Sequence, residues 1–277
     1  MVSIENLHFS YPKKEIFDGL NLQIKHGYIY GLLGKNGTGK STLLSNIAGL
    51  LFPKAGRINV FGHNPGERRP AFLEDIFLIP EEFYLPDISI PNLVKYTGPF
   101  YRWFNEELFS GYLKEFNISY QSNLQNLSYG QRKKVLISFG LAANTSLLLM
   151  DEPTNGLDIE GKSQLRKIIA GAFDEKKSII ISSHQVKDLE NLIDQVVIID
   201  DGKIVLNESI QYVASKLLFK ITFDPSETAL AIYSEPMLRG NAVITLNTGD
   251  EESKIDLELL YKATLANSKL IQSIFKA

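Results

Sequence analysis

A chain of 277 residues with 44% hydrophobic and 22% charged residues has an ordinary globular composition, long enough for one large domain or one domain with a small partner. Its net charge of −3 and pI of about 5.9 offer no basic surface for nucleic acid, so no nucleic-acid partner is expected. The chain has no cysteine, which excludes disulfides, thiolate catalysis and cysteine metal sites; no apolar run approaches the roughly 18 residues a bilayer span needs, and residues 1–10 lack the pattern of a signal peptide, so a soluble or peripheral protein is expected.

Residues 2–10 and 16–25 alternate in polarity and predict two strands separated by a turn at Tyr11-Pro12-Lys13-Lys14. The apolar run 28–33 predicts a buried strand. Residues 41–51 place Leu43, Leu44, Ile47, Ala48 and Leu51 at helical spacing. Strands follow at 56–61, closed by Gly62, and at 76–79, stopped by Pro80. Residues 83–126 are rich in aromatics and predict a helical insert, extending to about 143 with the next helix. Most of those aromatics belong to the insert core, with a minority exposed for a partner. A helix over 129–143 turns Val135, Ile137, Leu141 and Ala142 inward. A buried strand over 147–150 ends in Asp151. The pattern continues with a helix over 158–173, a buried strand over 178–183, a helix over 186–193, and a hairpin, 196–200 and 203–206, turning on Asp201-Gly202. Beyond residue 212 the reading is strands at 217–223, 229–233 and 242–246, a polar loop at 248–253, and one or two amphipathic helices over 257–275.

The stretch Gly34-Lys35-Asn36-Gly37-Thr38-Gly39-Lys40-Ser41-Thr42 fits G-x-x-x-x-G-K-[ST] between a strand and a helix. Inward-pointing backbone N–H groups and a helix N-terminus make such a loop a phosphate site. Lys40 reaches the terminal phosphates and the Ser41 hydroxyl sits on Mg²⁺. Asp151, delivered by an apolar strand, is placed to hold Mg²⁺, and Glu152 beside it to polarise an attacking water.

Further motifs point to a family. Leu127-Ser128-Tyr129-Gly130-Gln131 resembles the signature motif of ATP-binding-cassette (ABC) ATPases, usually Leu-Ser-Gly-Gly-Gln, and stands about twenty residues before Asp151-Glu152-Pro153-Thr154. Asn155-Gly156-Leu157-Asp158 resembles the family's D-loop, His184 its switch histidine and Tyr11 its adenine-stacking aromatic. The resemblance runs from about Val2 to Leu206, with every motif in order. It implies an α/β P-loop NTPase domain of ABC type: a mixed sheet core, an antiparallel β subdomain and a helical insert over residues 1–212, with a small α+β domain over 213–277. It also implies that His184 senses the γ-phosphate, that Ser128, Gly130 and Gln131 face the ATP held by a second ABC ATPase subunit, and that Asp158 couples the two sites. His8, His26 and His63 have no such support and are taken as structural or surface residues.

Two positions depart from the family. Glu81 stands where a glutamine usually follows the strand before the insert, and is the only candidate for that residue's part near Mg²⁺ or water. Tyr129 replaces the first signature glycine. The resemblance implies an ATPase, using ATP and Mg²⁺, that drives a membrane-spanning transporter subunit from the inner face of the cell membrane. The stretch Ile79-Pro80-Glu81 with residues 151–158 is similar to the drug, lipid and polysaccharide export branch. The alternative is a non-transport ABC ATPase serving a soluble assembly or a nucleic-acid complex. Those acting on nucleic acid or ribosomes usually join two cassettes in one chain, or carry a long coiled-coil insertion or a basic surface; the cassette by itself does not exclude a soluble assembly ATPase.

Overall fold

The computed structural model describes residues 2–249 and 253–275. In chain order the elements are β1 (Val2–Tyr11), β2 (Lys14–Ile24), β3 (Ile29–Leu33), α1 (Lys40–Ile47), β4 (Ala55–Val60), α2 (Pro70–Leu73), β5 (Ile76–Ile79), α3 (Ile90–Thr97), α4 (Glu106–Glu115), α5 (Tyr129–Ala142), β6 (Leu147–Asp151), α6 (Ile159–Ala172), β7 (Ser178–Ser183), β8 (Gln195–Asp200), β9 (Lys203–Ser209), α7 (Ile210–Lys216), β10 (Leu217–Thr222), α8 (Pro225–Leu230), β11 (Tyr233–Pro236), β12 (Asn241–Leu246), α9 (Leu257–Ala266) and α10 (Ser268–Phe275).

The main sheet has six strands in the order β5-β6-β7-β3-β8-β9, parallel except for the β8–β9 hairpin. Its inner strands are apolar throughout, as strands covered on both faces must be: β3, β6 and β7 are buried along their whole length. Antiparallel β2-β1-β4 form a second sheet. Its inward residues Ile4, Leu7, Phe17 and Leu22 share one core with α1 and one face of the main sheet. The insert, α3 to α5, packs on the other face, where Phe77, Tyr101, Phe104, Phe109 and Phe139 interlock at centroid separations of 4.8–6.0 Å. The expected minority of exposed aromatics is Tyr84, Tyr96, Phe100 and Trp103.

The β8–β9 hairpin turns where the sequence places it, with positive φ at both Asp201 (42°) and Gly202 (70°), the conformation of a two-residue type I′ turn. A Cβ on Gly202 would come within 2.0 Å of the Ile16 carbonyl, so glycine is required there.

Two elements differ from the sequence reading. The helix expected over 186–193 is a single 3₁₀ turn, Val186–Leu189. Glu190 leaves it extended and Asn191 takes φ 62°, which ends helical propagation. The strand expected over 229–233 is preceded by helix α8, and the strand itself, β11, begins only at Tyr233. Asp224 caps α8 through the Ser226 N–H and Pro225 fills the first helical position; these start signals outweigh the apolar tetrapeptide that follows.

Beyond residue 216 an antiparallel sheet, β10-β12-β11, joins α9 and α10. Leu217, Ile244, Leu257, Leu260 and Ile271 lie in the same hydrophobic cluster as Ile198 of the main sheet and Leu189 of the 3₁₀ turn. The sequence puts a domain boundary at 212/213, inside α7; the structure carries one core across it. Part of the polar loop expected at 248–253 lies outside the described residues.

Candidate functional site

Adjacent parallel strands β6, β7 and β3 release their C-terminal ends side by side, with Asp151 paired to Ser182 and Leu33 to Ser183. That register brings Asp151, Glu152, His184 and the loop from Gly34 to one edge of the sheet. The carboxyl ends of the strands of an open α/β sheet are where such sheets hold ligands.

The loop is built on glycine. Gly37 and Gly39 have φ of 80° and 107°. A Cβ at Gly34 would meet the Ile199 carbonyl at 2.7 Å, and one at Gly39 the Phe17 ring at 2.7 Å. Lys35, Asn36 and Gly37 are exposed at the tip, and Thr38 folds back through its hydroxyl onto the Lys35 carbonyl. Lys40 is buried and donates to the carbonyls of Gly34 (2.8 Å) and Lys35 (3.2 Å). Ser41 is exposed on the first turn of α1. Tyr11 is partly exposed beside this helix, its hydroxyl 3.4 Å from Thr42 Oγ1 and its ring edge-on to Phe9.

Asp151 is buried and accepts from Ser182 Oγ. Glu152 is 3% exposed and adopts φ 45°, a left-handed conformation costing about 1–3 kcal/mol in a residue with a side chain. Its N–H donates to the Ser182 carbonyl and lies 3.1 Å from Ser182 Oγ. Lys40 Nζ stands 3.4 Å and His184 Nδ1 2.9 Å from Glu152 Oε1. Neither is aligned as a hydrogen bond, and both Glu152 carboxylate oxygens are buried without a hydrogen-bond partner among the described residues, as is the Thr154 hydroxyl.

A glycine cradle that no Cβ fits, a buried lysine and a buried carboxylate with free lone pairs suit a polyphosphate and an attacking water. Among the described residues no cluster of three or more His, Asp and Glu could hold a metal by itself. The serine hydroxyl and single aspartate suit Mg²⁺, which completes its shell with phosphate and water.

Ser128, Gly130, Gln131 and Asp158 do not join this edge. They line a separate cleft with Phe116, Lys134 and Gly156. Ser128 caps α5 in a reciprocal box: its hydroxyl accepts from the Gln131 N–H, and Gln131 Oε1 accepts from the Ser128 N–H. Asp158 caps α6 through the Gly161 N–H. Glu81 accepts from Asn155 Nδ2 at 2.8 Å through its carboxylate, and from the Tyr129 hydroxyl at 2.9 Å through its carbonyl.

A family model described as ABC transporter matches residues 17–155, which is half of the chain. The chain belongs to the ABC transporter family. It is an ABC ATP-binding domain, and such domains hydrolyse ATP. The bacitracin transport ATP-binding protein of Bacillus licheniformis is 32% identical over 74% of this chain and 68% of its own length. The linearmycin resistance ATP-binding protein of Bacillus subtilis is 26% identical over 99% of this chain and 90% of its own. A solved structure of an ATP-binding subunit of an ABC transporter superposes with a TM-score of 0.69 at 22% identity, over 77% of this chain and 91% of that one, and so shares the fold.

The contacts of three residues at this edge escape the motif reading. Ser182 bonds both Asp151 and Glu152, but a serine in an apolar strand gives no sign of its partner. Asn155 holds Glu81 across 74 residues of sequence. Lys133 is fully buried and donates to the carbonyls of Glu152 (2.7 Å) and Asn155 (3.1 Å). The available signal for Lys133 is its place in the inward stripe with Ile137 and Leu141, where a charge requires buried acceptors. The remaining histidines have ordinary contacts: His8 with Asp18, His26 against Phe61 and His63 near Phe72.

Proposed function

We propose that this chain is the energising subunit of an ABC exporter, hydrolysing ATP at an interface with a second ATPase subunit and passing the resulting motion to a membrane-spanning partner. The observation that carries the reading is Glu152: a buried carboxylate with neither oxygen hydrogen-bonded among the described residues, its Oε1 facing Lys40 and His184, next to the magnesium-type ligand Asp151.

In this reading Tyr11 stacks on adenine, and the backbone N–H groups from Gly34 to Thr42 wrap the phosphates. Lys40 exchanges the carbonyls of Gly34 and Lys35 for phosphate oxygens. Ser41 and Asp151 hold Mg²⁺, which when bound neutralises charge developing on the phosphoryl oxygens. Glu152 accepts the proton of the attacking water, and His184 holds the γ-phosphate side of the site. Glu81 approaches the metal or its water from the segment before the insert, as far as its bond to Asn155 allows. Ser128 and Gly130 close on the partner's ATP from the N-terminus of α5, with Gln131 spent on the helix cap and Asp158 lying at the seam.

The membrane partner would dock an amphipathic helix in a groove of about 720 Å³ lined by Leu50, Leu73, Leu78, Pro99, Phe100 and Tyr101. Among the described residues no helix is long and apolar enough to cross a membrane. Export is favoured by the relatives named for bacitracin transport and linearmycin resistance. Glu152→Gln tests the site: it should still bind ATP and lower turnover by roughly 10²–10⁴-fold. Wild-type turnover in that variant removes Glu152 as the base.

A further inference from the structure

We propose that Lys133 is a positioning residue for Glu152, holding the hydrolytic turn from within the same chain by clasping its main chain. The proposal rests on the reading of Glu152 as general base.

Lys133 lies one turn into α5 after the signature motif. Among the described residues its ammonium has no ion pair with a carboxylate. It donates to two main-chain carbonyls, of Glu152 at 2.7 Å and Asn155 at 3.1 Å, which bracket the turn after β6. The same turn is closed by the Asn155 N–H on the Glu152 carbonyl. Glu152 sits there in a left-handed conformation, which persists only where its surroundings over-determine it. Binding the carbonyl fixes the peptide on one side of Glu152 and takes up neither carboxylate oxygen, both of which lack a hydrogen-bond partner among the described residues. A lysine kept for charge balance would bond the carboxylate itself. Burial pushes the Lys133 ammonium below its ordinary pKa, and the nearby charges of Glu81, Asp151 and Glu152 act the other way.

Four residues earlier on the same helix, Tyr129 makes a second contact with this region. Its hydroxyl donates to the Glu81 carbonyl, its ring stacks on Phe83 at 5.1 Å, and it lies where a Cβ on Gly156 would touch it at 3.3 Å. Glu81 in turn holds Asn155. Tyr129 and Glu81, the two departures from the family pattern, thus bond each other and close on the turn that Lys133 holds. The helix whose N-terminus faces the partner's nucleotide is therefore bonded directly to the base that serves the chain's own nucleotide.

The test compares Lys133→Met with Lys133→Gln in the full chain, reading kcat, the KM for ATP and the thermal midpoint. Methionine keeps the length and removes the donors; glutamine restores an N–H₂ near the two carbonyls. Misplacing a reacting group by about 1 Å costs roughly 10²-fold. Lys133→Met should therefore lose about 10–100-fold in kcat with KM within about threefold of the parent, and Lys133→Gln should recover part of the loss. In a Glu152→Gln background, Lys133→Met should lower kcat no further, since it acts through Glu152. Three results overturn the proposal: unchanged kcat in Lys133→Met, an additive loss in the double variant, or a joint fall of kcat, ATP affinity and thermal midpoint in both variants alike. Wild-type turnover in Glu152→Gln overturns the base assignment and this proposal with it. A normal Lys133→Met beside an impaired Glu152→Gln overturns this proposal alone.

Discussion

Ser182 supports the two acidic residues of the site at once. Its hydroxyl donates to Asp151 and lies within bonding distance of the Glu152 N–H, all three in the buried interior. Ser182→Ala should destabilise the fold by about 1–3 kcal/mol, the cost of leaving buried polar groups unpaired. It should also raise the Mg²⁺ concentration needed for turnover by about 10–100-fold, because Asp151, the proposed metal ligand, loses the partner that orients it. Thermal unfolding and a Mg²⁺ titration of ATPase activity measure the two effects. The P-loop, Asp151 and Glu152 are legible in the sequence because their chemistry lies in contiguous residues between apolar runs. Lys133 is not: it stands among three successive cations, Arg132-Lys133-Lys134, a pattern that normally marks a solvated face. Its acceptors lie 19 and 22 residues away, on a turn the register of β6 and β7 creates.

Among the elements, α5 reaches from the separate cleft to the turn after β6. Its N-cap Ser128 lines the outer cleft, and Lys133 lies against the buried turn. Ser128→Ala should cost about 1 kcal/mol of stability through the lost cap, readable as a lower thermal midpoint. The β8–β9 hairpin is legible because Asp-Gly between apolar runs names its own turn. Gly202→Ala should destabilise by about 2 kcal/mol or more, since both the positive φ and the 2.0 Å approach to the Ile16 carbonyl oppose a side chain. Denaturant unfolding measures that loss. The 186–193 segment misleads because its apolar residues Val186, Leu189 and Ile193 are spaced as in a helix. Each is buried, but from a 3₁₀ turn and a left-handed Asn191, so the spacing is met without the helix.

For the whole molecule, the placing of α9 decides how the C-terminal region behaves. Its Leu260 is fully buried in the cluster that reaches Leu189 and Ile198. Exposed ion pairs, Lys187 with Glu258 and Lys254 with Glu190, lie at the same junction. Leu260→Ala should therefore lower the stability of the whole chain by about 2–5 kcal/mol in one cooperative transition. Two separate transitions, with only the lesser one shifted, would show an independent C-terminal domain. Composition shows that residues 213–277 lack nucleotide chemistry, but not that their apolar faces complete the main core, because an amphipathic helix does not name its partner. The proposed coupling to transport depends on the exposed aromatics of the insert and the groove beside Phe100 and Tyr101. The most direct measurement is recovery of the tagged chain from native membranes in mild detergent, with quantification of everything bound to it. The account predicts a polytopic membrane protein in fixed stoichiometry with two ATPase subunits. Recovery only from the soluble fraction, with ribosomes or a soluble assembly complex, would leave the ATP chemistry standing and contradict the transporter assignment.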